Sequence, residues 1–382
     1  MDFNFTDEQK MLRESARGFC EDKSPMSFVL EMEEDEKGYT PELWKGMAEL
    51  GWMGLVIPEE YGGVGMSFMD LIVLLEEMGR VCLPGPFFST VVLGGLTILE
   101  GGNESQKNEF LPKIANGDII LSFALAEPSS TQYDPSLIEV TATAEQDRFI
   151  IDGTKLFVSD ANVADYIICA ARTQGEPASK DGITLFFVDA KSPGIKCSLL
   201  KTVAGDKQCE VIFDKVVVSE ENVLGEVNGG WFVIEKILQK AAVAKCAEMV
   251  GGGQKVLEMA VEYAKQRVQF GKLIGTFQAV QHHCANMAIA LQGSKFITYK
   301  AGWMLSEGVP CAMQVSAAKA WTSEAYKKLV ILGHQIFAGT GFMAEHEMPM
   351  YSRRARAAEL AFGDANYYRK MVAQDIGLAP RS

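Results

Sequence analysis

The sequence predicts an α+β protein with an N-terminal helical domain, a middle β domain of barrel or sandwich type, and a C-terminal four-helix bundle. Three observations predict it. Apolar residues recur at helical spacing through about residue 118 and again from Trp231, where "WFVIEKILQKAAVAKCAEMVGGGQKVLEMAVEYAKQR" sustains the pattern over a great length. Between these stretches, short runs of β-branched and aromatic residues alternate with polar ones: "IEVTATAEQ", "RFIIDGTKLFVS", "YIICAAR", "ITLFFVDA" and "EVIFDKVVV". Helices, strands and helices are segregated along the chain rather than alternating, which argues against βαβ units. We place the domain boundaries at 1–118, 119–226 and 227–382, three domains in a chain of 382 residues.

The elements follow in order. Thr6 and Gln9 have the spacing of a capping box and open a helix through about Cys20. "PELWKGMAELG" (41–51) is a second helix closed by Gly51, and "VIPEEYGGVGMS" (56–67) a Pro/Gly-rich loop. "FMDLIVLLEEMGRVC" (68–82) and "ESQKNEFLPKIANGD" (104–118) are further helices. In the C-terminal part, Gly251, Gly252 and Gly253 sit inside a helix, either as a close-packing surface or as the wall of a pocket. "AAELAFGDANYYRK" (357–370) reads as a helix with Leu360, Phe362 and Tyr367 on one face. It nevertheless carries Gly363 beside Asp364, and glycine costs about 1 kcal/mol in a helix interior. Such local conflicts are expected at functional sites.

Composition removes several classes of function. The formal net charge is −14 and no basic run exceeds "SRRAR" (352–356), which argues against nucleic acid and anionic membrane surfaces as bulk partners. The acidic N-terminus is unlike a secretory signal, and no window approaches 18 consecutive apolar residues, so membrane insertion is not expected. Eight scattered cysteines without a C-x-x-C pair point to a reducing cytoplasm rather than to disulfides or zinc. His282 and His283 are adjacent, and His334 and His346 lack H-E-x-x-H spacing, so no metal is expected. "GTGFMA" (339–344), with Asp364 beyond it, matches a dinucleotide fingerprint in letters only. Its surroundings read as helix on both sides, so its glycines mark a turn between helices where backbone can approach a ligand.

"ALAEP" (124–128), "RVQFGKLIGTFQ" (267–278) and "QIFAGTGF" (335–342) are individually weak motifs. Together with "GLVIPEEYGG" (54–63), "KLFVSDANVADYIICAAR" (155–172) and "VIFDKVVVSEENVLGE" (211–226), they are collinear over almost the whole chain. In this the sequence resembles the acyl-CoA dehydrogenases. The resemblance implies FAD as cofactor, an acyl-CoA substrate, a homo- or hetero-tetramer, and an electron-transfer flavoprotein as electron acceptor. It also implies the chemistry: a carboxylate removes the α-proton of the thioester and a hydride passes from the β-carbon to flavin N5. Because that α-proton is a poor acid, the reaction needs a positioned base and hydrogen bonds to the developing enolate.

Carried over by motif, the resemblance assigns Phe123, Leu125, Ala126, Phe157 and Ser159 to the flavin ring. It assigns Arg267, Phe270 and Gln278 to the diphosphate and adenine half bound from a neighbouring subunit, with Gln335 and Gly339 as a second set there. Two positions depart from the pattern. Ala126 replaces a threonine, and Gln132 stands roughly where a serine would contact substrate. The base departs as well: Phe362 occupies the usual glutamate position, one residue before Gly363. The "RRARAAELAFGDA" pattern resembles a subfamily acting on bulky, cyclic or dicarboxylic acyl-CoAs, in which the aspartate after Phe-Gly is the base. That assigns proton abstraction to Asp364 and a substrate-facing backbone to Gly363. Another branch places a glutamate on the long helix, near Ala241 here, which leaves Glu248 as the other candidate carboxylate. The departures keep two further readings open: a degenerate partner subunit of a heteromeric enzyme, and a flavin oxidase or oxygenase on the same scaffold.

Overall fold

The computed structural model describes residues 4–129 and 136–378; Gln132 lies outside the described residues. Six α-helices come first: α1 Asp7–Lys23, α2 Met26–Glu34, α3 Pro41–Glu49, α4 Phe68–Arg80, α5 Leu96–Gly101 and α6 Glu104–Ala115. A π-helical stretch, Phe88–Gly95, leads into α5. Eight strands follow: β1 Leu121–Ala124, β2 Thr141–Glu145, β3 Arg148–Ser159, β4 Tyr166–Arg172, β5 Ile183–Asp189, β6 Ile195–Leu200, β7 Gln208–Ser219 and β8 Val223–Leu224. The chain then forms α7 Gly230–Gln266, a hairpin of β9 Val268–Gln269 and β10 Lys272–Leu273, α8 Gln278–Ser306, α9 Ala312–Phe337, α10 Met348–Leu360 and α11 Ala365–Asp375. This is the helical, β, helical order read from periodicity. The Thr6 capping box is formed in full, with Gln9 N donating to Thr6 Oγ1 at 3.2 Å.

The chain divides into two compact units. One comprises Glu31–Met66 and Pro84–Ala241. Its sheet has the order β6-β7-β3-β2-β4-β5-β8, with β1 added parallel to β4. Alternation builds the core here: Cys209, Val211 and Phe213 of β7 are buried, and they join Ile151, Val158, Ile167, Cys169 and Phe186. The long β3–β7 pair breaks register twice, between Ile151 and Gly153 and between Lys155 and Val158. At the second break three steps on β3 face two on β7, from Val211 to Cys209, which is a β-bulge.

The other unit comprises the chain up to Leu30, Ser67–Leu83 and everything from Ala242. Its glycine run resolves as a packing surface. A Cβ on Gly251 would overlap the backbone carbonyl of Glu76 on α4, and one on Gly252 would overlap the Tyr326 hydroxyl on α9. Gly79 of α4 meets the backbone of Glu248 in the same way. The glycines thus let α4 and α7 approach backbone to backbone, and the 0.8–1.0 kcal/mol propensity cost of each is traded for that contact. Glu76 and Glu77 of α4 are almost fully buried and are held by Arg13 and Arg17 of α1.

Residues 357–370 do not form one helix. α10 ends at Leu360 and α11 begins at Ala365, with a turn at 361–364 in which Phe362 has φ +57° and Gly363 φ +107°. No helix is long and apolar enough to cross a membrane among the described residues.

Candidate active site

In the β-containing unit, two motif segments are brought together. Leu156 N donates to Ala126 O at 2.9 Å, so the "ALAEP" strap runs beside the bulge of β3. Ser122 Oγ donates to Ser159 O and ties β1 to the end of the same strand. The bulge places Phe157 at φ +54° and turns its ring outward, 61% exposed, between the buried Lys155 and Val158. Phe123 is buried, and Leu125, Ala126 and Ser159 are half-buried.

The strap is held from beneath by an ion pair that sequence reasoning missed. Lys155 Nζ lies 2.5 Å from Glu127 Oε1, with side-chain exposures of 0% and 2%. Lys155 also donates to Leu125 O at 3.1 Å. Glu127 Oε2 accepts from Glu139 N at 2.7 Å. A charge pair this deep is tolerable only with further hydrogen bonds, and here the ammonium has Leu125 O and the carboxylate has the backbone N–H groups of Glu139 and Val140. Both residues lie in the quoted motifs, but they are 28 residues apart and nothing local pairs them.

In the helical unit, Arg267 follows the end of α7 and Gln278 opens α8. Between them the β9–β10 hairpin turns on Phe270 (φ +54°) and Gly271 (φ +78°), the paired left-handed conformation of a tight two-residue hairpin. Phe270 is 92% exposed at its tip. Arg267 and Gln278 are exposed, and the first N–H groups of α8 receive no side-chain cap. Gln335 lies in the last turn of α9, exposed, and Gly339 in the 3₁₀ turn after it. An added Cβ at Gly339 would meet nothing within 4 Å. Helix precedes and follows this turn, so "GTGFMA" has no βαβ context.

Asp364 is the N-cap of α11, its Oδ1 accepting from Tyr367 N at 2.8 Å. No hydrogen bond among the described residues engages Oδ2. The preceding turn is clamped at both carbonyls: Tyr368 Oη donates to Phe362 O at 2.8 Å, and Lys319 Nζ to Gly363 O at 2.8 Å. Burial pushes the Lys319 ammonium down to about 8. Glu248, the other candidate carboxylate, is paired with Lys245 one turn earlier on α7.

Six of the ten non-glycine residues with positive φ among the described residues fall in the motif segments: Phe157, Asp160, Lys215, Phe270, Ala338 and Phe362. A bulky residue there is strained, and such strain concentrates at ligand-binding and catalytic positions.

In chain order a β domain lies between two helical segments, and motif residues of both units sit at positive φ, a segregated α+β organisation. The comparisons make this specific: the chain belongs to the acyl-CoA dehydrogenase family. The N-terminal domain of acyl-CoA dehydrogenases matches residues 6–118, the middle domain residues 122–216 and the C-terminal domain residues 228–377. An acyl-CoA dehydrogenase of Bacillus subtilis (strain 168) is 30% identical over 97% of this chain and 98% of its own. A 3-(aryl)acrylate reductase of Clostridium sporogenes (strain ATCC 15579) is also 30% identical, over 97% of this chain and 99% of its own. Among solved structures, a glutaryl-coenzyme A dehydrogenase in complex with glutaryl-CoA superposes with a TM-score of 0.93 at 29% identity, over 99% of this chain and 98% of that one. The chain is thus an oxidoreductase of a family of FAD-dependent enzymes.

Proposed function

We propose that this chain is an FAD-dependent acyl-CoA dehydrogenase in which Asp364 accepts the α-proton of the thioester. The observation that carries the reading is the state of Asp364: a half-buried carboxylate on a clamped turn, with one oxygen capping α11 and the other without a hydrogen bond among the described residues. A base must be held in place while keeping a lone pair for the proton, and this arrangement does both.

The residues present suit FAD. Exposed Arg267, whose backbone carbonyl accepts from Ile274 N, and the N-terminus of α8 without a side-chain cap each suit a diphosphate, the guanidinium by its fork and the helix by its free N–H groups. The outward ring of Phe157 and the Ser159 hydroxyl suit an aromatic ring system with polar edges. Gln335 and the open backbone at Gly339 suit the adenine half. When bound, FAD supplies the two-electron acceptor for the dehydrogenation. The chain's own work is to take the proton at an Asp364 oxygen, with Gly363 forming the turn that carries it and having no room for a side chain against Tyr367 and Tyr368.

The "FGD" turn supports an acyl group that is bulky, cyclic or dicarboxylic, in keeping with the likeness to a glutaryl-CoA complex. An electron-transfer flavoprotein is the proposed electron acceptor and a tetramer the proposed assembly. The eight scattered cysteines, with no C-x-x-C pair, favour a reducing cytoplasm. The test is a panel of acyl-CoAs with an artificial electron acceptor, read by flavin bleaching and product; no bleaching with any of them, by protein loaded with FAD and its natural partner, would overturn the proposal. Ala126, in place of the flavin-contacting threonine, favours one second reading, a partner subunit in a heteromeric enzyme. Flavin stoichiometry separates the two: about one FAD per chain for the first and about half for the second.

A further inference from the structure

Lys319 lies on α9 with a relative exposure of 0%, yet it is an amine on a four-carbon stem. Burying an ammonium is costly unless hydrogen bonds replace its water. Here they do: Nζ donates to Ala358 O at 3.1 Å, Glu359 O at 2.9 Å and Gly363 O at 2.8 Å, with Ser323 Oγ at 3.3 Å. Two of these acceptors are last-turn carbonyls of α10, and satisfying them is ordinary helix capping. The third is not. Gly363 lies beyond the helix, in the turn that precedes Asp364, and its φ of +107° follows another positive φ at Phe362. One ammonium therefore fastens the end of α10 to the residue before the carboxylate.

The same turn is fixed from its other side. Tyr368 Oη holds Phe362 O, and a Cβ at Gly363 would press on the rings of Tyr367 and Tyr368. Glu359, whose carbonyl is among the acceptors, has its own carboxylate engaged by Lys327 and Arg356. The end of α10 is thus gripped at 358 and 359 and the turn after it at 362 and 363, far more than a surface connection requires.

We propose that Lys319 is a positioning residue for the reaction: its buried ammonium, acting through Gly363 O and seconded by Tyr368, sets the turn from which Asp364 meets the substrate. This rests on the reading of Asp364 as base and adds a requirement to it. The two are separable by experiment.

The test is single-turnover flavin bleaching and steady-state kinetics on the FAD-loaded enzyme, expressed per bound flavin, for Lys319→Met, Tyr368→Phe and Asp364→Asn. The expected result is a loss in kcat on the order of 10²-fold for Lys319→Met, the scale of a small misplacement of a reacting group, with KM for acyl-CoA near the wild-type value. Addition of a small primary amine to Lys319→Ala restores part of the rate. A merely structural lysine would lower thermal stability and yield while leaving kcat per bound flavin unchanged, and that result overturns the proposal. If the lysine variants do not fold, Tyr368→Phe decides: it removes one hydroxyl, and an unchanged kcat per flavin counts against positioning of the turn. Asp364→Asn tests the parent reading. If it abolishes turnover while Lys319→Met and Tyr368→Phe behave as wild type, only the positioning role falls; if Asp364→Asn turns over normally, the base assignment falls and this inference with it.

Discussion

Asp364 Oδ1 accepts the backbone N–H of Tyr367 at 2.8 Å, so the carboxylate proposed to take the substrate proton is also the cap of α11. A substitution there risks confusing lost chemistry with a lost helix end. Asn and Asp cap equally well, whereas Ala costs roughly 1 kcal/mol. Asp364→Asn should therefore leave the thermal midpoint and flavin spectrum unchanged while turnover falls by about 10²–10⁴-fold, the usual contribution of a general base. Asp364→Ala should lose both activity and stability. The comparison needs only a melting curve and an activity assay; wild-type turnover by the Asn variant would remove Asp364 from the chemistry.

A second prediction concerns Lys155 and Glu127. Removing one member of a buried pair strands the other and typically costs 3–5 kcal/mol. Glu127 also accepts from Glu139 N, and Lys155 from its side holds Leu125 O, so the pair fixes the strap that carries Leu125 and Ala126. Glu127→Gln keeps the shape and removes the charge. Denaturant unfolding should show a stability loss of that order, and FAD titration a weaker affinity. Loss of stability with FAD affinity unchanged would show that the strap does not shape the flavin site.

What the sequence made legible was what is local. The Thr6–Gln9 capping box spans three residues, and the helical and strand periods are set by neighbours along the chain, so both could be read directly. The α10–α11 break showed only as a conflict at Gly363 and Asp364, because nothing in "ELAFGDAN" announces a phenylalanine at positive φ. That conformation is imposed by Tyr368 and Lys319, the latter some 40 residues earlier in the chain. Lys155 and Lys319 gave no sign of their roles for the same reason: their acceptors are distant in sequence, and only the fold brings them near. Helix α2, "MSFVLEMEE", is nine residues long, short enough that tertiary context decides it. The assignments at Arg267, Gln335 and Asp364 came from motif resemblance, which names residues without giving their geometry.

The glycine run of α7 supplies a third prediction. A Cβ at Gly251 would overlap Glu76 O and crowd Arg80 N, both backbone atoms that cannot swing aside. Gly251→Ala gains about 1 kcal/mol of helix propensity and must still lose, since overpacking of this kind costs 1–3 kcal/mol or more. Unfolding measurements should show net destabilisation. KM values for long and branched acyl-CoAs should not change in the protein that remains folded. A selective rise in KM for bulky substrates at unchanged stability would instead identify the glycines as a pocket wall.

The pH dependence of stability offers a last test, with its sign fixed by Lys319. Burial holds the folded-state ammonium down at about 8, whereas the unfolded chain titrates near 10.5. Below pH 8 both states carry the proton, and the full cost of burying the charge is felt. Between pH 8 and 10.5 the unfolded state binds more protons than the folded state, so stability from this group rises with pH, by up to about 1.4 kcal/mol per pH unit. Other groups titrate in the same range, but they are common to wild type and Lys319→Met and cancel in the difference. Wild-type minus variant unfolding free energy should be flat from pH 6 to 7.5 and climb from 8 upward. Parallel curves would mean that the three carbonyls hold the ammonium protonated throughout, and a difference that falls with pH would mean that the hydrogen bonds outweigh the burial.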